Sequence, residues 1–193
     1  MRRTRRFFPT MATIIALVVL SSTWALSASA NFHLWEISEV YSNANESVQF
    51  IELTTTFNGQ QVLNGHSLLV GNIGGTLAVF DFMSNLPSST TSNQSFLLGT
   101  QSLADLPGGV TPDYVIAAGF IDVTLATILN FASVDFFSLS GLPLDGANSL
   151  LQTGLMGTAT PTNFAGAQGV VPEPTSALLI GLGLAALGLR GRP

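Results

Sequence analysis

Cysteine is absent from the whole 193-residue chain. That excludes disulfides, thiol catalysis and cysteine-held zinc or iron–sulfur centres, so any folded part must rest on packing alone. Basic residues are missing from the middle. The six of them, Arg2, Arg3, Arg5, Arg6, Arg190 and Arg192, all lie at the ends, and neither lysine nor arginine occurs between Asn31 and Val171. Ten acidic residues fall in that stretch (the eleven of the chain less Glu173), so it carries ten minus zero, a charge of about −10 with histidine neutral. No cation is available to release counterions from phosphates, which rules out nucleic acid as a partner. No Lys/Arg ion pair can form there either. Each acid must be solvated, hydrogen-bonded or metal-bound.

Recognisable catalytic motifs are also lacking. The mature region has no G-x-S-x-G, H-E-x-x-H, P-loop or G-x-G-x-x-G pattern. Its two histidines are His33, next to the expected mature terminus, and His66, in a turn-like stretch. A Ser-His-acid triad can be dispersed in sequence, and paired carboxylates can cut glycosides, but no spacing singles out such a set. The expectation is a non-enzymatic protein with no catalytic residues.

What is present begins with the ends. Arg2, Arg3, Arg5 and Arg6 precede the apolar run Met11–Leu20, and Ala28-Ser29-Ala30 then places small residues at Ala28 and Ala30. A positive start, a short apolar middle and an A-x-A end mark a secretory signal peptide over residues 1–30, removed by signal peptidase before Asn31. An uncleaved N-terminal anchor is the alternative. Thr4-Arg5-Arg6-Phe7-Phe8 resembles the twin-arginine export motif, although general secretion is the expected route.

At the other end, Val171-Pro172-Glu173-Pro174 leads into Thr175–Leu189, fifteen residues without a charge, and then Arg190 and Arg192. Two prolines around a glutamate keep that segment extended and exposed, as a protease cleft requires. As a helix the apolar run would be about 22 Å long, against a hydrocarbon core of about 30 Å. It can span with local thinning, and the arginines would hold its end on the cytoplasmic side. Gly181 and Ala185 form a small-xxx-small pair suited to a partner helix. A terminal core helix is the alternative.

Between the ends lie about 140 residues, enough for one domain. Short apolar stretches alternate with Gly, Ser, Thr and Asn, and no long 3.6-residue stripe occurs. Strands are expected in 31–41, 48–56, 62–70, 76–82, 95–99, 114–118, 121–130 and 134–139. The stretch 121–130 could instead be a short helix. In the first strand, Trp35 and Ile37 share one face, with Leu34 and Val40 opposite. In the second, Ile51 and Leu53 lie opposite Phe50 and Glu52. The glycine-rich stretch Gly71–Gly75 separates two strands, and the polar Ser84–Asn93 reads as an exposed loop. The predicted class is all-β, an immunoglobulin-like β-sandwich over residues 31–151, flanked by the signal-peptide helix and the transmembrane helix 175–189. Residues 152–170, rich in Gly, Thr and Ala, read as a flexible linker.

Glu36, Glu39 and Glu52 cluster on the first two strands with no basic partner, and hard cations prefer such oxygens. They are the calcium candidates, against the alternative of acids on solvated strand faces. No cofactor is otherwise expected. Asn45-Glu46-Ser47 and Asn93-Gln94-Ser95 fit N-x-S, and chance is their reading in an Asn/Ser-rich chain.

VPEP at Val171–Pro174, the short glycine-rich apolar segment and the terminal arginines resemble the PEP-CTERM sorting signal. The resemblance covers residues 171–193. It implies a substrate of exosortase, a membrane-embedded transpeptidase-like enzyme thought to act near Pro-Glu-Pro. The chain would be exported, held transiently in the inner membrane, and passed to the cell surface or extracellular matrix. That family is associated with extracellular polysaccharide and biofilm. A structural or adhesive role follows as an expectation, with a carbohydrate- or calcium-binding module, and then a polysaccharide-modifying enzyme, as alternatives. A second likeness covers residues 32–70. Ile37-Ser38-Glu39-Val40, Phe50-Ile51-Glu52-Leu53 and Leu63-Asn64-Gly65-His66-Ser67-Leu68 are similar to the opening of a lamin-tail-type domain, itself an immunoglobulin-like sandwich. His66 departs from that pattern, which carries an aromatic residue there.

Overall fold

The computed structural model describes residues 32–172. The signal-peptide sites Ala28 and Ala30, the motif residues Glu173 and Pro174, the apolar segment 175–189 and Arg190 and Arg192 lie outside the described residues. Among the described residues no helix is long and apolar enough to cross a membrane.

Ten strands form two sheets. β1 (Glu36–Ser42), β2 (Gln49–Thr55), β5 (Gln94–Thr100), β6 (Tyr114–Ile116), β9 (Asn148–Leu151) and β10 (Met156–Thr158) make a six-stranded sheet in the order β10-β9-β1-β2-β5-β6. β3 (Ser67–Asn72), β4 (Gly75–Asp81), β7 (Ile128–Phe131) and β8 (Asp135–Ser138) make the second, in the order β4-β3-β7-β8. All pairings are antiparallel except β5 with β6, whose connection carries the one-turn helix α1 (Gln101–Ala104). The described residues thus form an all-β sandwich, as the alternation of the apolar residues implied.

The sheets enclose an aromatic core. Phe96 on β5 meets Trp35 edge-on at 4.7 Å, and Phe82 packs edge-on against Tyr114 at 5.0 Å and Phe131 at 5.9 Å. Such edge-to-face contacts add to the gain from burial. The Trp35 indole N–H donates to the Gln60 carbonyl at 2.6 Å, so its polar edge is satisfied inside the core. Ile51 and Leu53 point into this core while Phe50 lies on the other side of β2, as alternation requires. β1 departs from simple alternation. Its pairing with β2 shifts between Ile37 and Glu39, a bulge at Ser38. The extra residue brings Ile37 and Val40 to the same inner face, where a two-residue period had placed them on opposite faces.

Other boundaries differ for local reasons. β3 starts at Ser67 rather than residue 62, because Asn64-Gly65 makes a turn with Gly65 at φ +86°, where only glycine is at ease. Residues 72–75 close a tight β3–β4 hairpin, with Asn72 paired to Gly75. In 121–130 only Ile128 onward is strand. Before it, Asp122 Oδ1 accepts from the backbone N–H groups of Thr124 and Leu125 and from the Thr124 hydroxyl, holding a single turn. Ser84–Asn93 is a loop, as expected, pinned where the Thr91 hydroxyl donates to the Phe57 carbonyl at 2.7 Å.

The largest correction concerns residues 152–170. They are not a free linker. β10 completes a hairpin with β9, and the chain then runs as a strap over the outer face of the six-stranded sheet to Val171. Strap and α1 loop cover a second apolar cluster made of Tyr41, Val48, Phe50, Leu97, Leu103 and Val110, into which Ala159 and Val171 insert. The domain therefore has three layers, and its C-terminal boundary falls past the expected residue 151.

Candidate functional site

The bulge in β1 that brings Val40 inward also turns Glu39 outward, directly across from Glu52 of β2. Like charges at such directly opposed positions repel. Both side chains are nonetheless buried under the strap, Glu39 6% and Glu52 7% exposed. With no lysine or arginine in the domain, their partners are hydroxyls and backbone amides. Glu39 Oε1 accepts from the Ser149 hydroxyl at 2.5 Å and the Thr160 N–H at 3.1 Å. Glu52 Oε1 accepts from the Ser95 hydroxyl at 2.8 Å, and its Oε2 from the Thr162 N–H at 2.7 Å. Asp113, just before β6, continues the row, its Oδ2 accepting from the Phe164 N–H at 2.8 Å and the Leu97 N–H at 2.9 Å. Every second strap amide from Thr160 to Phe164 thus lands on a different carboxylate.

Burial dominates the electrostatics. It pushes the Glu52 carboxyl from its ordinary 4.5 up to about 7, against the lowering effect of Ser95 and Thr162, and the charge of Glu39 pushes the same way. Glu39 is raised by burial too, partly offset by Ser149 and Thr160. Two exposed acids behave oppositely: hydrogen bonds from Asn148 hold Asp145 below the ordinary carboxylate range, and those from Thr124 do the same for Asp122.

Of the three calcium candidates, the fold brings Glu39 and Glu52 together and leaves Glu36 exposed, where it accepts from Gln152 Nε2 at 3.3 Å. Among the described residues no group of three or more acidic or histidine side chains converges as a metal set. The paired glutamates turn three of their oxygens towards N–H and O–H donors that hold the strap and the neighbouring strands. Both histidine rings contact Phe32. His66 stacks on Phe32 with ring centroids 3.5 Å apart, and His33 meets Phe32 edge-on at 6.1 Å. In the N-x-S stretch at Asn45, the Asn45 side chain accepts from the Ser47 hydroxyl at 2.7 Å and closes a turn.

Ser95, Ser149, Thr160 and Thr162 were not singled out in the sequence. The available signal was indirect: acids without basic partners, in a chain rich in hydroxyls, had to find neutral donors.

The strap ends at the sorting motif. The Gly169 N–H donates to the Pro161 carbonyl at 2.8 Å and the Val170 N–H to the Gly108 carbonyl at 2.9 Å, while Val171 is buried in the outer cluster. A family model for the PEP-CTERM protein-sorting motif matches residues 170–192. The chain carries a PEP-CTERM sorting motif. It is therefore an exported protein handed to an exosortase-type enzyme, anchored transiently in a membrane before release towards the surface. The lamin-tail resemblance receives no such support, although Ile37–Val40 and Phe50–Leu53 do pair as it requires. No curated protein and no solved structure matches the chain.

Proposed function

We propose that this PEP-CTERM protein is a non-catalytic surface or matrix component, displayed by its sorting tail and holding neighbours in extracellular polysaccharide by adhesion. The observation that carries this reading is the outer face of the four-stranded sheet. Leu77 and Val79 of β4, Ile128 of β7 and Phe136 of β8 alternate with core residues and are all exposed, Phe136 by 59%. An uncovered apolar face of this kind marks an interaction surface. It lies on the opposite side of the sandwich from the strap that leads to the sorting motif, so attachment leaves it free. The strong negative charge keeps the protein soluble and selects uncharged or cation-bridged partners.

A second reading, a module for an uncharged sugar, draws on the same face. A groove of about 170 Å³ runs beside Phe136, with Asn72, Thr76 and Asn130 on its walls. An aromatic ring beside amide and hydroxyl groups is the chemistry that such a ligand needs.

The test uses two variants of the full chain in producing cells. Replacement of Pro172, Glu173 and Pro174 by alanine should leave the protein in the membrane fraction. Val79→Ser with Phe136→Ser should leave display unchanged and reduce cell aggregation. Normal aggregation in the double variant at equal display would refute the adhesive face, and saturable thermal stabilisation by one oligosaccharide would favour the second reading.

A further inference from the structure

The strap is a small hairpin laid on the sheet. Its inner arm, Thr160–Phe164, is held by the carboxylates of Glu39, Glu52 and Asp113. It turns at Asn163–Ala167, where the Asn163 side chain accepts from the Ala167 N–H at 2.9 Å and Gly166 sits at φ +78°. The outer arm then runs back, with Thr162 bridged to Gln168 and Gly169 bonded to Pro161. The absence of a side chain at Gly169 lets this arm lie on the α1 loop: a Cβ there would stand 3.0 Å from the Val110 Cβ. The outer arm ends in Val170, bonded to Gly108, and in buried Val171. These are the first two residues of the matched sorting motif.

We propose that the outer arm of the strap is an autoinhibitory contact on the sorting motif: while it is docked, the sorting enzyme cannot grip the residues before Pro-Glu-Pro, and processing requires residues 167–171 to peel from the α1 loop. Enzymes that act on an extended segment take its main-chain bonds and side chains on both sides of the reacting bond. Here the Val170 N–H is already engaged and the Val171 side chain is buried in the outer apolar cluster. Peeling breaks few contacts. The bonds of Gly169 and Val170, the Thr162–Gln168 bridge and the Ala167 bonds to Asn163 open and Val171 is exposed, while the carboxylate contacts upstream keep the inner arm and the sandwich in place. Processing speed then follows the fraction of molecules with the arm free. The inference rests on the reading of the tail as an exosortase substrate.

The chain has no cysteine of its own, so one engineered disulfide can lock the arm. Val110→Cys with Gly169→Cys places the two Cβ atoms about 3.0 Å apart, and a backbone shift of about half an ångström reaches the disulfide range of about 3.5–4.5 Å. Full-length protein in membranes that hold the sorting enzyme is followed by mass spectrometry of its C-terminus. The oxidised variant should be processed at least about tenfold more slowly than the same variant after reduction. A second variant, Val110→Ala, thins the seat without touching the motif and should raise the rate at least about threefold. Equal rates for oxidised and reduced protein overturn the gate, as does an unchanged rate in Val110→Ala if the cysteine pair does not fold. Wild-type protein left unprocessed in the same membranes overturns the sorting reading itself, and the gate with it.

Discussion

Replacing Glu52 by glutamine should flatten the pH dependence of folding between pH 4.5 and 7. Glu52 faces Glu39 across β1 and β2 under the strap, and its folded carboxyl titrates at about 7 instead of 4.5. A group raised in this way contributes stability that is fully present below the unfolded value of 4.5 and is lost as pH rises through about 7. At about 1.4 kcal/mol for each pH unit, this interval corresponds to about 3 kcal/mol lost by the wild type. Glutamine keeps the size and an acceptor for Thr162 while removing the titration. Glu39 and Asp113, which packing also raises, remain in the variant and leave a residual slope of the same sign. Asp122 and Asp145 are lowered and act below pH 4, outside the window. The assay is urea unfolding at four pH values from 4.5 to 7.5 on protein truncated after Pro172. The variant should lose about 2–3 kcal/mol less than the wild type over that range. Parallel curves for the two proteins would refute the assignment of a buried, repelling pair.

Two further outcomes follow from the packing and from the oxygens of the glutamate pair. Phe96→Ala removes a fully buried ring that touches Trp35, Phe82, Tyr114 and Phe131, and should cost about 3–5 kcal/mol in the same unfolding assay. Millimolar calcium and excess chelator should give the same melting temperature, because three of the four glutamate oxygens are taken by chain donors. A saturable rise with calcium would show that these carboxylates hold a cation instead.

Much of the fold was legible from local pattern. Strands such as Gln49–Thr55 and Gln94–Thr100 bury one face or both, and their β-branched and apolar residues announce them. β9 and β10 were not legible. Asn148–Leu151 and Met156–Thr158 are short and sit among Gly and Thr, and only the pairing of β9 with β1 and of β10 with β9 makes them strands. A two-residue period also could not show the bulge at Ser38, which depends on the register against β2. That single extra residue decides whether Glu39 faces the core or faces Glu52.

The sequence by itself determined the all-β class, the reliance on packing without disulfides, the lack of any internal cation and the sorting motif at the C-terminus. Each of these resides in composition or in contiguous residues, where chemistry does not depend on distant partners. Tertiary structure alone decided that the Gly/Thr/Ala stretch is a docked strap and that three acids hold its amides. Glu39 meets Thr160 across 121 residues and Glu52 meets Thr162 across 110. Such contacts form only once the sheet has brought both carboxylates to one outer face, where burial withholds water and leaves hydroxyls and backbone N–H groups as their donors.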